Sequence, residues 1–382
     1  MNLLATLRDF FTRPPFSPPR PLLVAFSGGT DSTALLAGLA ELRGEGSTPA
    51  SRLFAAHLDH AGDAGSAERA RRARAIAENL DVPLRVGRRE VAALRKPGES
   101  WETAARRIRY EFLEESRLAV GADWVVLAHH RDDQAETVLL RLLLGSGLFG
   151  LAAMRPIHGT KVRPLLGVAK SELTRYVRTR GLVPVEDPSN GDWGVLRNRI
   201  RHLLLPALVE SEGLDDLAGR LRRLAERAAG ASDRISSRLA ERFPGLESAT
   251  PFLDRETLGR LPPELVPFAL AALHRASGLP LPPSRKAAAE IGRQLAHPGE
   301  MERAGAALGS GRRWRIGANR LWIEALGPTE SANPSGSSGF TYTFLAPGRI
   351  EVPEAGVALI LRRGEFAPWM MLGEPERAAL AL

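Results

Sequence analysis

Three short runs of this chain place residues together that are able to do chemistry. The first is Ser27-Gly28-Gly29-Thr30-Asp31-Ser32. Adjacent glycines let a backbone approach an anion without Cβ clashes, and the amides of a following helix N-terminus point at phosphate oxygens. Ser27 and Ser32 add hydroxyl donors, and Thr30 sits at the helix entry. The Gly-Lys-Ser/Thr ending of a Walker loop is missing. Asp31 stands there instead, and a carboxylate beside phosphates makes sense through a bridging Mg²⁺. The plain alternative is a Gly-Gly turn with Asp31 or Ser32 as a helix cap. The second run is His129-His130-Arg131-Asp132-Asp133-Gln134-Ala135-Glu136. Its acids suit metal binding, recognition of an amine or general-base chemistry, with the histidines assisting, although Asp132 and Asp133 also suit simple capping. The third element is arginine: Arg106 and Arg109 share a helix face three residues apart, a spacing that suits bidentate grip of phosphate.

Alternating strands and helices must position these runs. Leu22–Phe26, Leu53–His57, Leu84–Val86 and Trp124–Ala128 read as buried strands, and 32–43, 66–80, 101–118 and 133–144 have helical periodicity. The pattern predicts βαβ units in a doubly wound parallel sheet, whose ligands sit at the carboxyl ends of the strands. The first two runs fall at such ends. His57 and His60 follow the second strand, where a metal pair without cysteine is the weaker reading. From Leu196 the chain turns into arginine- and leucine-rich helix, with patterns at 214–242, 254–276 and 284–296. A hairpin follows, with Trp314 and Ile316 on one arm, Gly317-Ala318-Asn319 at the turn, and Leu321 and Ile323 on the other. The expected organisation is a 1–20 extension, a 21–206 catalytic domain, a mostly helical 207–326 domain ending in a basic hairpin, a polar 327–339 linker, and a partial β-rich module at 340–382.

Composition narrows the classes. A net charge of +8, from 52 Lys+Arg against 44 Asp+Glu, favours a polyanionic partner; a codon-driven preference for arginine accounts for it equally well. With no cysteine in the chain, thiolate nucleophiles, Fe–S clusters and disulfides are excluded. No run approaches the ~20 apolar residues of a membrane helix, and Met1–Pro21 does not read as a signal peptide. A cytoplasmic protein without a membrane partner is expected.

The phosphate-loop run resembles the PP-loop of the N-type ATP pyrophosphatases, which cleave ATP between the α and β phosphates. The segments His129–Thr137, Gly145–Leu151, Arg163-Pro164-Leu165-Leu166, Glu186-Asp187-Pro188-Ser189-Asn190 and Arg197-Asn198-Arg199-Ile200-Arg201, with Ala105-Arg106 through Arg109-Tyr110, are similar to the lysidine synthetases of that superfamily. Together they span residues 22–206. Ala61-Gly62-Asp63 departs from the Gly-Leu-Arg that those enzymes carry there.

The resemblance implies ATP as co-substrate with Mg²⁺, a tRNA(Ile) with a CAU anticodon, and free L-lysine. No obligate protein partner is implied, and a homodimer is left open. In such an enzyme the wobble cytidine attacks the α phosphate, and lysine then displaces AMP. Ser27–Ser32 and Arg106 are expected on the ATP and pyrophosphate side, with Asp31 holding the metal. Asp31, Asp132, Asp133, Glu136, His129 and His130 form the expected catalytic group. Arg109, Asp187, Asn190, Arg197, Asn198 and Arg201 are expected on the lysine or tRNA side, and Arg312, Arg313, Trp314 and Arg315 are candidates for RNA contact through charge and stacking. The rivals are a tRNA thiolase, which needs cysteine or an Fe–S cluster, an amidotransferase-dependent synthetase, and a non-catalytic RNA-binding protein on the same fold.

Overall fold

The computed structural model describes residues 2–45, 50–61, 65–96, 98–185, 196–212, 215–279, 288, 291–293, 303–308, 312–325, 349–352, 357–362 and 379–381. The chain divides into two compact units, Met1–Met301 with Gly317–Trp322, and Glu302–Ile316 with Ile323–Leu382.

The first unit opens with α1 (Leu3–Thr12), capped by the Asn2 side chain, which accepts from the Leu4 amide at 3.1 Å. Then follow β1 (Arg20–Ala25), α2 (Thr30–Gly44), β2 (Ala50–Asp59), α3 (Ser66–Asn79), β3 (Leu84–Arg88), α4 (Val91–Leu94), α5 (Trp101–Ala119), β4 (Trp124–Val126), α6 (Arg131–Leu143), α7 (Leu148–Leu151), β5 (Ile157–His158), β6 (Lys161–Val162) and α8 (Lys170–Thr179). The strands lie in the order β3-β2-β1-β4-β6-β5. All pairings are parallel except β5 with β6. Leu22, Leu23 and Val24 are all fully buried, because helices cover both faces of a parallel sheet. Chain order reverses at β1, between β2 and β4. Ligands of doubly wound sheets bind at such a switch point, outside the carboxyl ends of the strands.

Local sequence explains the supporting helices. On α5, Ala104, Ile108 and Phe112 recur at helical spacing on the buried face, and Ser100 caps the first turn by accepting from the Thr103 amide. Phe112 lies so close to β3 that a Cβ at Gly87 would come within 2.3 Å of its ring. Only glycine allows that approach.

Beyond the sheet, α9 (Leu196–Arg199), a π-helical turn (Ile200–Leu204) and α10 (Leu205–Glu212) form one continuous helical run. The boundary expected at residue 206 falls inside it. Next come α11 (Leu217–Arg242), β7 (Phe252–Asp254), α12 (Arg255–Gly259) and α13 (Val266–Ala276). The helical pattern expected over 254–276 is therefore present but interrupted between α12 and α13. Pro262 and Pro263 cannot continue an α-helical ladder, and Asp254 instead caps the short α12 through the Thr257 amide at 2.7 Å. Ala135 and Val138 of α6 pack with Leu221 and Ala225 of α11, and Arg155 bridges to Asp233 of α11 at 2.8 Å.

In the second unit β8 (Arg303–Leu308) pairs antiparallel with β9 (Arg312–Ile316). Strand β10 (Arg320–Ala325) starts in the first unit, where it pairs with β7. The remaining strands are β11 (Arg349–Val352), β12 (Val357–Arg362) and β13 (Ala379–Ala381), with β12 in the middle. The expected linker at 327–339 and most of 284–296 lie outside the described residues.

Candidate active site

The loop leaving β1 folds around its own polar groups. Gly28 sits at φ +84°, and its carbonyl accepts from the Val185 amide at 2.9 Å and the Thr33 hydroxyl at 3.0 Å. Ser27 Oγ and Ser32 Oγ lie 3.0 Å apart, and Ser32 Oγ also reaches the Gly29 carbonyl at 3.0 Å. These bonds shape the loop while no side chain caps α2 at Gly29. The first amides of α2 are thus left for an anion, which is what phosphate recognition at a helix N-terminus requires. Gly28 is needed on two counts. Its φ disfavours any Cβ, and an added Cβ would stand 3.0 Å from Val185 Cγ2. Gly28→Ala should therefore cost roughly 1–2 kcal/mol from the left-handed backbone alone. The expected result is a melting temperature lower by a few degrees, with a loss of ATP-induced stabilisation in the same thermal titration.

The loop leaving β4 brings the second run against the first. His130 is the N-cap of α6 and is 1% exposed. Its Nδ1 accepts from the Asp132 amide at 3.2 Å, while its own amide donates to Asp133 at 3.0 Å, closing a capping box. Its Nε2 faces Asp31 at 3.5 Å and Asp133 at 3.4 Å. Burial opposes a charge on this ring, but Asp132, Asp31 and Asp133 together hold its pKa up to about 9. The neutral ring caps the helix through Nδ1. The imidazolium instead has its Nδ1–H beside the Asp132 carboxylate at 3.5 Å. Either way the ring joins the phosphate loop to α6.

Asp31 lies in the first turn of α2. Burial works against its ionisation, yet His130, Lys170 and Arg201 hold its carboxyl below the usual range. Its Oδ1 is buried with no hydrogen-bond partner. An orphaned carboxylate oxygen beside open helix amides fits a hard cation shared with phosphate oxygens. Among the described residues no group of three or more acids and histidines is arranged to hold a metal unaided.

The acidic cluster, which reads as one group in the sequence, is divided in space. Asp132 accepts from the Lys170 amide at 2.9 Å and so caps α8; burial raises its pKa, but His130 and that amide bring it down to about 2. Asp133 and Glu136 face the helical run that begins at Leu196. Glu136, 1% exposed, accepts from Arg197 Nε at 2.7 Å, Arg201 Nε at 2.5 Å and Arg201 Nη2 at 3.0 Å. Asp133 accepts from Arg197 and Arg201 at 3.1 and 3.2 Å. Two carboxylates and two guanidiniums thus make a closed cage. Arg201 lies in the π-helical turn, a distortion frequent at functional sites.

His129 belongs to a different neighbourhood. Burial, then the charges of Arg163, Arg197, Arg109 and Arg106, push its pKa well below the ordinary value. Its Nδ1 accepts from Arg163 Nε at 3.3 Å. With Nδ1 so engaged the neutral ring carries its proton on Nε2. Arg106 and Arg109 lie over the Tyr110 ring, at 5.1 and 5.7 Å from its centroid. Arg163, Lys161, Tyr110 and Lys170 were not singled out as site residues by sequence reasoning, although Arg163 stands in one of the quoted segments.

The remaining expectations divide as follows. Asn198 is half-buried on the helical run, while Asp187 and Asn190 lie outside the described residues, as do Gly62 and Asp63. His57 is buried, with Nδ1 3.0 Å from the Phe26 carbonyl, and burial lowers its pKa, so it ties β2 to β1 instead of facing a metal. In the second unit Arg313 and Arg315 both reach Glu324, at 2.8 and 2.5 Å, and Arg312 is half-buried. Trp314 is 0% exposed. The expectation that it stacks on a base is corrected: strand alternation turns it inward, so its ring is not at the surface.

Comparison with known proteins agrees with this geometry. The family model described as the PP-loop domain matches residues 3–208. The chain is similar to a tRNA(Ile)-lysidine synthase of Geobacter sulfurreducens, 42% identical over 233 residues, covering 59% of this chain and 47% of that protein. It is similar to the enzymes of the same name from Pseudomonas fluorescens, 44% identical with 49% and 41% covered, and Xanthomonas axonopodis pv. citri, 38% identical with 64% and 54% covered. The chain spans about half the length of the curated relatives it matches. With its uncapped Gly-Gly loop at the switch point of a doubly wound sheet, and with the family model covering more than half its length, this chain belongs to the PP-loop family.

Proposed function

We propose that this protein ligates L-lysine to C2 of the wobble cytidine, position 34, of a tRNA(Ile) with a CAU anticodon, consuming ATP and forming lysidine. The change switches reading from AUG to AUA and the tRNA's identity from methionine to isoleucine. The observation that carries the reading is the junction at His130, which sets an open phosphate loop against a carboxylate–arginine cage. An enzyme that activates with ATP and then couples an amino acid bearing both charges needs both sides. Its relatives' names support the same reading.

The chemistry balances in two steps. The cytidine O2 attacks the α phosphorus, and the bond to the β-phosphate oxygen breaks, releasing pyrophosphate. A cage carboxylate, Asp133 or Glu136, takes a proton from the lysine ε-ammonium; the neutral nitrogen then forms a bond to C2, the C2–O bond breaks, and AMP leaves with that oxygen. The loop amides with Ser27 and Ser32 bind and orient the polyphosphate. Asp31 would hold Mg²⁺, which supplies neutralisation of the leaving group's charge. Asp133 and Glu136 present carboxylates to the lysine ammonium, and Arg197 and Arg201 present guanidiniums to its carboxylate, each exchanging a partner within the cage for one on the ligand. Asp132 keeps α6 and α8 in register, and His130 Nε2 lies between Asp31 on the phosphate side and Asp133 on the cage side.

The test is incubation of the protein with ATP, labelled lysine and tRNA(Ile) carrying a CAU anticodon. Label enters the RNA in equal amount to the AMP formed. RNA binding without AMP formation would instead make this a non-catalytic RNA module and overturn the proposal.

A further inference from the structure

Four cations gather on the α5 side of His129. Arg106, Arg109 and Lys161 lie over the ring of Tyr110, at 5.1, 5.7 and 5.3 Å from its centroid. Arg163, 7% exposed, closes the group through His129 and through the Arg155 carbonyl at 3.0 Å. None of the four lies within ion-pair distance of a carboxylate among the described residues. This separates them from Arg197 and Arg201, which are saturated with acids. The π face of Tyr110 and the lone pair of a neutral His129 hold the cations in place; Glu114, already paired with Arg117, is the acid on which Lys161 acts, which leaves the three arginines without a carboxylate among the described residues. Burial first, and then Arg106, lowers the pKa of Arg141; burial first, and then Arg163 and Lys161, lowers that of His158. Such a cluster is an anion site by its chemistry.

The ATP phosphates already have a site. The cations acting on Asp31 are His130, Lys170 and Arg201, whereas His129 feels Arg163, Arg197 of the cage, Arg109 and Arg106. His129 and His130, successive residues leaving β4, turn to different partners: His130 Nε2 faces Asp31 and Asp133 at 3.5 and 3.4 Å, while His129 Nδ1 accepts from Arg163 at 3.3 Å. Arg106, a candidate from sequence for polyphosphate or RNA phosphate contact, lies over the Tyr110 ring beside the His129 group. The geometry points to the Tyr110 cluster as a phosphodiester site for the RNA strand, distinct from the ATP phosphate site and formed by Arg106, Arg109, Lys161 and Arg163. Divided this way, the enzyme grips the backbone beside the reacting nucleotide with one set of cations and releases pyrophosphate from another. The inference rests on the RNA-modifying reading above, and the experiment keeps the two apart.

The probes are an anticodon stem-loop RNA with a CAU loop, titrated across a salt series, and MgATP and inorganic pyrophosphate titrated separately. Lys161→Met and Arg106→Met are the variants, since Arg106 is exposed and Lys161 half-buried, and Arg106→Lys is the conservative control. Each Met variant should flatten the slope of log affinity against log salt by about 0.7 to 0.9 per lost phosphate contact. RNA affinity should fall several-fold at moderate salt while MgATP and pyrophosphate affinities stay within about twofold, and Arg106→Lys should restore most of the slope. An unchanged RNA slope in both variants overturns the inference, as does a loss confined to MgATP or pyrophosphate. If the wild type binds RNA with a slope the variants lose but incorporates no lysine, this inference stands and the proposed reaction fails. If lysine is incorporated and the slopes do not move, the reverse holds.

Discussion

Asp31→Ala should remove lysine-dependent AMP release while leaving a folded protein. The side chain sits in the first turn of α2 with Oδ1 buried and without a hydrogen-bond partner. Nothing in the fold therefore depends on that oxygen, and its desolvation is a cost that no group of the fold offsets. The fold loses the contact of Oδ2 with His130 at 3.5 Å and a favourable charge at a helix N-terminus, the latter worth about 0.3–1 kcal/mol. It also regains the cost of the orphaned oxygen. The two terms nearly offset, so the melting temperature should move little. Activity should fall on the order of 10²–10³-fold, the usual effect of deleting one electrostatic group aimed at developing charge. Asp31→Asn should do the same, because it preserves shape and loses charge. Near-normal AMP release in either variant would sink the assignment of the phosphate loop.

Glu136 should behave in the opposite way, with stability and activity failing together. Its carboxylate is buried and receives three hydrogen bonds from Arg197 and Arg201. Glu136→Ala leaves two guanidiniums sharing Asp133 alone. Removing one partner of a buried ion pair typically costs about 3–5 kcal/mol. The arginine side chains are 30% and 24% exposed and can partly rehydrate, so about 3 kcal/mol is expected. Thermal unfolding of Glu136→Gln and Glu136→Ala would show a drop of several degrees, at about 2–4 °C per kcal/mol for a domain of this size. The sharper check is coupling. Glu136→Gln combined with Arg197→Met should cost much less than the sum of the two, because the second change removes the charge that the first left unpaired. Additive costs would mean that the cage does not act as a unit. Lysine incorporation, measured at a temperature where Glu136→Gln is folded, should also be lost, which a purely structural role would not require.

These two carboxylates show where sequence and structure part. The phosphate loop was legible in the sequence because everything it needs is local: a buried strand, two glycines, a hydroxyl at each end and a helix within six residues. The helix carrying His130 through Glu136 was legible for the same reason, through its 3.6-residue period and capping side chains. The sheet was legible as alternation. The helical pattern over 254–276 was legible as periodicity, whereas its interruption at Pro262 and Pro263 was not read from it.

What each acid does was another matter. Asp132, Asp133 and Glu136 fall within five residues, and nothing local separates them. Only the return of the chain places Arg197 and Arg201 against two of them, across 61 to 68 positions, while Asp132 turns to α8. Arg106 shows the same limit, since its helix face was plain but its neighbours Lys161 and Arg163 come from beyond β4. Burial decided Trp314, whose stacking face the strand turns inward. The sequence by itself determined the fold class, the phosphate loop and the inventory of charged groups, because short-range backbone geometry and periodicity encode them. Only the tertiary structure decided which charges neutralise one another and which stay open for a ligand, because Coulomb interactions and desolvation depend on distance in space, not along the chain.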